Sequence, residues 1–239
     1  MRRLHWPAID AGSLLDKVAA ELRSGYRRIK LKIKPGKDLQ YVCAVRKANP
    51  AILLSVDANS AYTLDDTAHL RRFDELNLLM IEQPFFWDDI FLHAKLQKDL
   101  RTPICLDESI RHLRDAQAAT ELGSAKIINI KLGRVGGHTG ARAIQAYCLS
   151  KNIPVWRGGM LESGVGRAHN VAMSSRPGFA LPGGVSASKR YWDEDIIDPP
   201  VEVTPQGTIP IPTAAGLGYH VRRDLIERLT LDKETWRAR

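Results

Sequence analysis

Residues 53–57 read LLSVD, and segments of the same kind, apolar with a charged last residue, recur along the chain at a nearly constant interval. The later segments are LLMIE at 78–82, ICLD at 104–107 and IINIK at 127–131. Their last residues, Asp57, Glu82, Asp107 and Lys131, are separated by 25, 25 and 24 residues. One strand, one helix and two short loops use up a repeat of this length, so we expect these side chains at equivalent ends of parallel strands.

The repeat extends to eight positions along the chain. Further strand ends fall near residues 32, 157 and 182, and one step back from residue 32 falls near residue 7. Eight strands close a (β/α)8 barrel, so the sequence predicts an α/β fold of this type. The first strand is expected to be atypical or missing, because Pro7 stands where a central strand donates a hydrogen bond. The eighth, FALP at 179–182, is weak.

Helical periodicity fills the intervals between these strands. The predicted helices cover residues 13–23, 38–48, 63–76, 87–100, 112–122, 136–150 and 163–173. We therefore expect a barrel domain over residues 1–190. Residues 191–239 are rich in proline and are expected to form a C-terminal extension that packs on the barrel and contains a last helix from Arg223 to about Leu229.

The chain is basic, with a formal charge of +8 and a pI near 9.5. Such a charge suits nucleic acid or a membrane surface, but the basic residues are mixed with acids and accompany no nucleic-acid-binding motif. We therefore expect neither partner. A basic binding protein built on a reused barrel is the non-enzymatic alternative.

The expected location is the cytoplasm. Cys43, Cys105 and Cys148 are isolated in the sequence, which is typical of reduced thiols rather than of disulfides or zinc sites. No stretch approaches the roughly 18 apolar residues of a membrane span, and the N-terminus lacks the apolar core of a signal peptide.

A second charged segment, RIKLKIK at 28–34, alternates with a period of two. Lys30, Lys32 and Lys34 therefore share one face of the strand. In a half-exposed sheet they would simply face water. In a barrel covered by helices they point into the lumen, which is costly unless acids or a metal site compensate for the buried positive charge.

Barrel enzymes have their active sites at the C-terminal ends of the strands, where Asp57, Glu82 and Asp107 are predicted. Three carboxylates, with none of the seven histidines at a strand end, favour Mg²⁺ or Mn²⁺ over zinc. Removing a proton α to a carboxylate produces an enediolate, which needs a cation while a neutral amine takes the proton. Lys30 places a like charge beside Lys32, which favours the neutral amine.

Lys131 is expected on the opposite side of the lumen, four strands from Lys32. Two lysines on opposite faces of one α-carbon permit racemisation, and one active lysine with the same intermediate permits elimination.

Six motifs in order carry a family resemblance: KLKI at 30–33, VDAN at 56–59, IEQP at 81–84, LDES at 106–109, IK at 130–131 and GGMLES at 158–163. From about Gly25 to Pro205 the chain resembles the enolase superfamily, muconate-lactonising-enzyme subgroup. Within it, the chain most resembles the o-succinylbenzoate synthase and N-acylamino acid racemase family.

The resemblance implies a role for each matching residue. Asp57, Glu82 and Asp107 would be Mg²⁺ ligands, Lys32 an acid/base and Lys131 the opposite acid/base or a cation stabiliser. Lys30 would tune Lys32, and Asn59 would support the site. The implied substrate-binding residues are Gly159, Met160, Leu161, Glu162 and Ser163. The implied reaction is dehydration to o-succinylbenzoate in menaquinone biosynthesis, racemisation of an N-acylamino acid, or both, on a small carboxylate in a homo-oligomer.

Two departures from the family pattern leave alternatives open. Members carry an N-terminal capping domain, which we expect to be absent because the chain begins where the first barrel strand should run. Arg157 precedes the Gly-Gly loop, where a small or neutral residue is expected. The alternatives are a truncated relative with little or no activity, and an enzyme similar to dipeptide epimerases or muconate cycloisomerases.

Overall fold

The computed structural model describes residues 2–4 and 11–236. Seven strands form one sheet in sequence order, and every neighbouring pair is parallel. The strands are β1 (Arg2–Leu4), β2 (Arg28–Lys32), β3 (Leu53–Asp57), β4 (Ile81–Glu82), β5 (Ile104–Leu106), β6 (Ile127–Ile130) and β7 (Val155–Arg157). This order, with a helical crossover between successive strands from β1 onward, is that of a (β/α) barrel.

The helices agree closely with the periodicity of the sequence. They are α1 (Ala11–Arg23), α2 (Asp38–Ala48), α3 (Thr67–Arg71), α4 (Ile90–Asp99), α5 (Leu113–Leu122), α6 (His138–Ser150), α7 (Gly164–Ser174) and α8 (Arg223–Leu229). Five of the seven predicted barrel helices, and the final helix, are confirmed to within two residues at each end.

The other two helices differ from the prediction for local reasons. The helix predicted over 63–76 is interrupted, because short 3₁₀ turns at Leu64–Asp66 and Arg72–Leu76 flank the single α-helical turn of α3. The helix predicted from residue 87 begins at Ile90, because the Asp89 carboxylate caps it by accepting a hydrogen bond from the Leu92 N–H at 2.9 Å.

The first and last barrel positions depart most from the repeat. β1 pairs with β2 through Arg2–Leu4, so a first strand is present but lies before the position near residue 7. The rest of the predicted segment, residues 5–9, falls outside the described residues. The strand predicted over residues 179–182 is wrong: these residues form no ladder, and Pro182 has no N–H to donate. The Gly184 N–H nevertheless bonds to the Arg157 carbonyl, which holds this segment beside β7.

The two faces of β2 have separate environments, as the barrel hypothesis requires. Ile29, Leu31 and Ile33 are buried in the core between the sheet and the helices. Lys30 is fully buried on the opposite, inner face. A second cluster, Met80, Cys105, Ile127 and Trp156, fills the lumen, and Met80 and Cys105 lie two residues before Glu82 and Asp107 on the same strand faces. The charged strand ends therefore lie above an apolar floor.

The C-terminal segment packs on the barrel. Its strands β8 (Ile197–Asp198) and β9 (His220–Val221) pair antiparallel. Val201 and Ile197 share an apolar cluster with Val171 of α7. The C-terminal segment also lies close to the turn before β2. Gly25 in that turn has a φ of 92°, and an added Cβ there would lie 2.3 Å from the Thr204 carbonyl oxygen. The division of the chain at residue 190 stays a prediction.

No helix in the described part of the chain is long and apolar enough to cross a membrane.

Candidate active site

The three predicted acids meet at the C-terminal ends of neighbouring strands. Asp57 ends β3, Glu82 ends β4, and Asp107 directly follows β5. Lys32 is the register partner of Asp57, which in turn is the register partner of Glu82. All three carboxylates are completely buried. The strand repeat therefore brings these side chains together as the sequence predicted.

The β2 lysines lie among these acids. The Lys30 Nζ atom is 2.7 Å from Asp57 Oδ2 and 2.6 Å from Glu82 Oε2. The Lys32 Nζ atom is 2.8 Å from the same Asp57 oxygen. Carboxylates therefore neutralise the charge of these amines, and a charged amine in a barrel lumen requires such partners.

Asn59 connects Lys32 with the next acidic group along the rim. Its side-chain oxygen accepts a hydrogen bond from Lys32, and its amide nitrogen donates to Glu108 Oε1 at 3.0 Å. The Asn59 N–H also donates to Asp57 Oδ1 at 3.1 Å. Asn59 therefore fixes Asp57 and Lys32 relative to each other.

Lys131 approaches the carboxylates from the other side of the lumen. It follows β6, four strands from β2, and its Nζ atom donates to Asp107 Oδ2 at 2.5 Å. Arg134 donates to the second oxygen of Asp107, and also to the carbonyls of Asn129, at 2.6 Å, and of Ile110, at 2.7 Å. Asp107 is therefore held between two cations.

Sequence reasoning missed three residues that support the site. Arg134 reaches back from the turn after Lys131, where no strand periodicity points to it. Gln83, buried with a φ of 41°, accepts a hydrogen bond from the Asp107 N–H at 2.9 Å and donates to Ser109 at 2.7 Å. Asn129 donates to Glu82 Oε1 at 3.1 Å. Asn129 lies two residues before Lys131, so the period of two contained the signal for it.

The carboxylates differ in their electrostatic environments. Burial, together with the negative charge of Asp57, raises the pKa of Glu82 to about 7 although Lys30 opposes the shift. Burial also disfavours ionisation of Asp107, but Arg134 and Lys131 overcome it and hold the pKa of Asp107 below its ordinary value. Lys30 and Lys32 likewise overcome burial and lower the pKa of Asp57. The site therefore combines two ionised aspartates with a glutamate that is short of compensating positive charge.

The donor set fits a hard divalent cation. Asp57, Glu82 and Asp107 offer only carboxylate oxygens, which are the donors that Mg²⁺ and Mn²⁺ prefer. In this structure their oxygens bond to amine, guanidinium and amide groups. No group of three or more Asp, Glu, His or Cys side chains in the described residues has the geometry of a metal site in this arrangement. The three acids therefore suit a hard divalent cation by their donor type and by their positions at neighbouring strand ends.

The Gly159–Ser163 loop lies at the rim after β7, and Glu162 holds its shape. Both Glu162 carboxylate oxygens accept the Met160 N–H at 2.8 Å, and one of them accepts Asn170 Nδ2 at 2.8 Å. Met160 and Leu161 are exposed. Gly159 passes so close to Gly184 that a Cβ added to Gly159 would lie 2.5 Å from the Gly184 carbonyl oxygen. Ser163 immediately precedes α7. The substrate contacts assigned to this loop stay predictions.

Arg157 is buried below this loop. Its Nη1 atom donates to the Ile130 carbonyl at 3.2 Å, and Nη2 is 3.9 Å from Glu162 Oε1. Burial lowers the pKa of Arg157 to about 10, although Glu162 opposes the shift.

Comparisons with known proteins agree with this geometry. The model of the family "Enolase C-terminal domain-like" matches residues 13–225. The chain is 53% identical over 224 residues to an o-succinylbenzoate synthase of Geobacillus kaustophilus, covering 94% of this chain and 59% of that protein. It is 50% identical over 214 residues to an N-succinylamino acid racemase of Thermus thermophilus, covering 90% and 58%.

A solved structure shows the same architecture. A member of the enolase superfamily from Listeria innocua superimposes with a TM-score of 0.91 at 46% identity, covering 95% of this chain and 60% of that one. The chain thus spans about 60% of the length of the relatives that it matches. These matches confirm the resemblance carried by the six motifs. The chain belongs to the enolase C-terminal domain-like family.

Proposed function

We propose that this chain forms the catalytic barrel of an enzyme that uses Mg²⁺, with Mn²⁺ as a substitute, to remove a proton α to a carboxylate. The reaction would be that of an o-succinylbenzoate synthase, of an N-acylamino acid racemase, or of both. One observation carries the proposal: three buried carboxylates at consecutive strand ends lie between Lys32 on one side and Lys131 on the other.

Asp57, Glu82 and Asp107 would hold the metal ion. When bound, the ion supplies positive charge to the oxygens of the substrate carboxylate as the enediolate develops. The chain's own contribution is to hold three carboxyl ligands in a buried site, where a charge acts more strongly than it would in water.

Lys32 would remove the α-proton in its neutral form. Lys30 and Lys32 both lie within 2.8 Å of Asp57 Oδ2, so each amine is close to the other. A charged Lys30, held between Asp57 and Glu82, favours the neutral form of Lys32. Asn59 accepts a hydrogen bond from Lys32 and thereby orients the amine.

Lys131 would act on the opposite face of the same carbon. In racemisation it delivers a proton to that face or removes one from it. In dehydration it stays charged and stabilises the anionic intermediate. Gly159, Met160, Leu161, Glu162 and Ser163 are proposed to line the substrate pocket, with Glu162 acting through the shape of the loop.

The names of the relatives divide between the two reactions, and both reactions need the same carboxylates and lysines. We therefore propose both for this site. Dipeptide epimerisation and muconate cycloisomerisation would also use these groups, so a test needs a dipeptide and a muconate in its substrate panel. The homo-oligomer and the cytoplasmic location stay predictions.

The test is metal-dependent exchange of an α-proton. The chain is incubated in D₂O with Mg²⁺ and each enantiomer of an N-succinylamino acid, and loss of the α-proton signal is followed by NMR. Dehydration of 2-succinyl-6-hydroxy-2,4-cyclohexadiene-1-carboxylate is followed by absorbance, and a dipeptide and a muconate complete the substrate panel. We expect turnover that EDTA abolishes and Mg²⁺ restores.

Matched variants assign the lysines. Lys32→Arg is expected to abolish exchange of one enantiomer and Lys131→Arg exchange of the other, because each amine serves one face. Lys34→Arg, an exposed lysine of the same segment, is expected to leave both rates unchanged. Absence of turnover with every substrate in the presence of Mg²⁺ would overturn the proposal and leave the inactive-relative alternative.

A further inference from the structure

Two histidines face each other at the rim of the barrel, outside the carboxylate site. His138 is the first residue of α6, and His169 lies in α7. The Nε2 atom of His138 is 3.1 Å from the Nδ1 atom of His169, and the two rings are inclined at 65°. Both side chains are exposed, so small solutes reach them.

A cavity of about 400 Å³ adjoins the pair. It is lined by both histidines and by residues of two rim loops, among them Leu132, Gly133, Met160 and Glu162. The space beside the imidazoles is therefore open enough for an ion and its water ligands.

The separation of the two nitrogens suits a shared metal ion. With Zn–N bonds of about 2.0–2.1 Å, two nitrogens in adjacent coordination positions lie roughly 2.9–3.4 Å apart. In the hydrogen-bonded pair one of these nitrogens carries the shared proton. An ion replaces that hydrogen bond if the proton moves to the other nitrogen of the same ring, so neutral imidazoles bind without releasing a proton.

The environment of His138 favours its neutral form. Burial, with His169, Arg157 and Arg142, lowers the pKa of His138. The carboxylate of Glu162, which lines the cavity, already accepts hydrogen bonds from Met160 and Asn170. The pair therefore supplies two nitrogen ligands, and water completes the coordination.

We propose that His138 and His169 bind a borderline divalent transition-metal ion of the Zn²⁺, Ni²⁺ and Cu²⁺ class. Imidazole nitrogen suits these ions, whereas the three carboxylates suit Mg²⁺ and Mn²⁺. The two sites thus differ in the metal they select. The inference does not depend on the proposed function, although the cavity shares Met160 and Glu162 with the proposed substrate pocket.

Calorimetric titration of the untagged chain with Zn²⁺, in saturating Mg²⁺, tests the site. We expect His138→Gln and His169→Gln each to weaken Zn²⁺ binding by about tenfold or more, equivalent to about 1.4 kcal/mol. His220→Gln, an exposed histidine on β9, is the matched control and is expected to leave binding unchanged. Because protons compete for the same nitrogens, binding should weaken as the pH falls through the titration range of histidine.

A spectroscopic measurement guards against indirect effects of the variants. Electron paramagnetic resonance of one equivalent of Cu²⁺ should show coupling to two nitrogens in the parent chain and to one in either variant. Unfolding temperatures without metal should be similar, because both side chains are exposed. Unchanged Zn²⁺ affinity in both variants, or a Cu²⁺ spectrum that neither substitution alters, would overturn the proposal.

Discussion

Lys30 is expected to be the most important single charge for the stability of the metal-free barrel. It contacts Asp57 and Glu82 at 2.7 and 2.6 Å, and all three side chains are fully buried. Lys30→Met keeps much of the volume and removes the charge. In this variant Asp57 keeps its ion pair with Lys32, whereas Glu82 keeps only the hydrogen bond from the Asn129 amide among the contacts described above.

The expected cost follows from leaving a buried carboxylate without its cation. Removing one partner of a buried ion pair typically costs about 3–5 kcal/mol. Since whole domains unfold with about 5–15 kcal/mol, this loss is a large part of the total. We therefore expect the free energy of unfolding of Lys30→Met to fall by about 3–5 kcal/mol.

Urea denaturation followed by circular dichroism, at neutral pH with EDTA present, measures the difference. Lys34→Met is the matched control, because Lys34 belongs to the same alternating segment but is exposed, and it should change the free energy by less than about 0.5 kcal/mol. A loss of under about 1 kcal/mol in Lys30→Met would show that this amine does not neutralise the buried carboxylates of Asp57 and Glu82.

Three further predictions concern the scaffold. Gly164→Ala should lower the unfolding free energy by about 1–3 kcal/mol, because an added Cβ would lie 2.3 Å from Ile197 Cγ1, whereas Gly133→Ala, with open space around it, should cost less in the same urea assay. Asp89→Ala should cost about 1 kcal/mol in thermal unfolding through loss of the α4 cap, and Asp89→Asn should recover most of it. Burial lowers the pKa of His93, so the folded state binds its proton less readily than the unfolded state does, and His93 contributes to the loss of stability as the pH falls below the ordinary histidine value. His93→Gln should therefore show a smaller fall in stability between pH 7 and pH 5, and an unchanged fall would contradict this assignment.

The sequence predicted the centre of the fold well because the determining signals there are local and periodic. Each strand from β3 to β6 is a short apolar run whose last or next residue is charged, and helices fill the intervals. The alternation at 28–34 likewise predicted that lysines and aliphatic residues separate onto two faces, which holds within β2 but is wrong for Lys34, because the strand ends at Lys32 and Lys34 is exposed. The buried contacts of Lys30 with acids agree with that prediction.

The signals failed where tertiary contacts decide the structure. The segment at 179–182 has the spacing of a strand, but Pro182 and the following glycines let it run beside β7, where the Gly184 N–H bonds to the Arg157 carbonyl. The helix predicted over 63–76 departs for a local reason instead, because hydrogen bonds between Thr63 and Asp66 close its first turn as a 3₁₀ turn.

The supporting residues of the site were hidden for a similar reason. Arg134 donates a hydrogen bond to Asp107, which is 27 residues earlier in the sequence. The glycines of its turn indicate only a change of chain direction. Glu162 stays a predicted substrate-binding residue, and the sequence did not indicate that its carboxylate bonds to the Met160 N–H and to Asn170. Sequence position identifies which side chains reach a rim, whereas the direction of each side chain depends on its neighbours.

The number of Mn²⁺ ions that the chain binds, counted by electron paramagnetic resonance, shows whether Asp57, Glu82 and Asp107 together hold one hard divalent ion between two lysines. We expect one Mn²⁺ per chain, displaced by Mg²⁺. Glu82→Gln should reduce the affinity for Mn²⁺ at least about tenfold, and Glu121→Gln, which alters an exposed acid on α5, should leave it unchanged. Equal Mn²⁺ binding by the parent chain and Glu82→Gln, or no binding by the parent chain, would contradict this expectation.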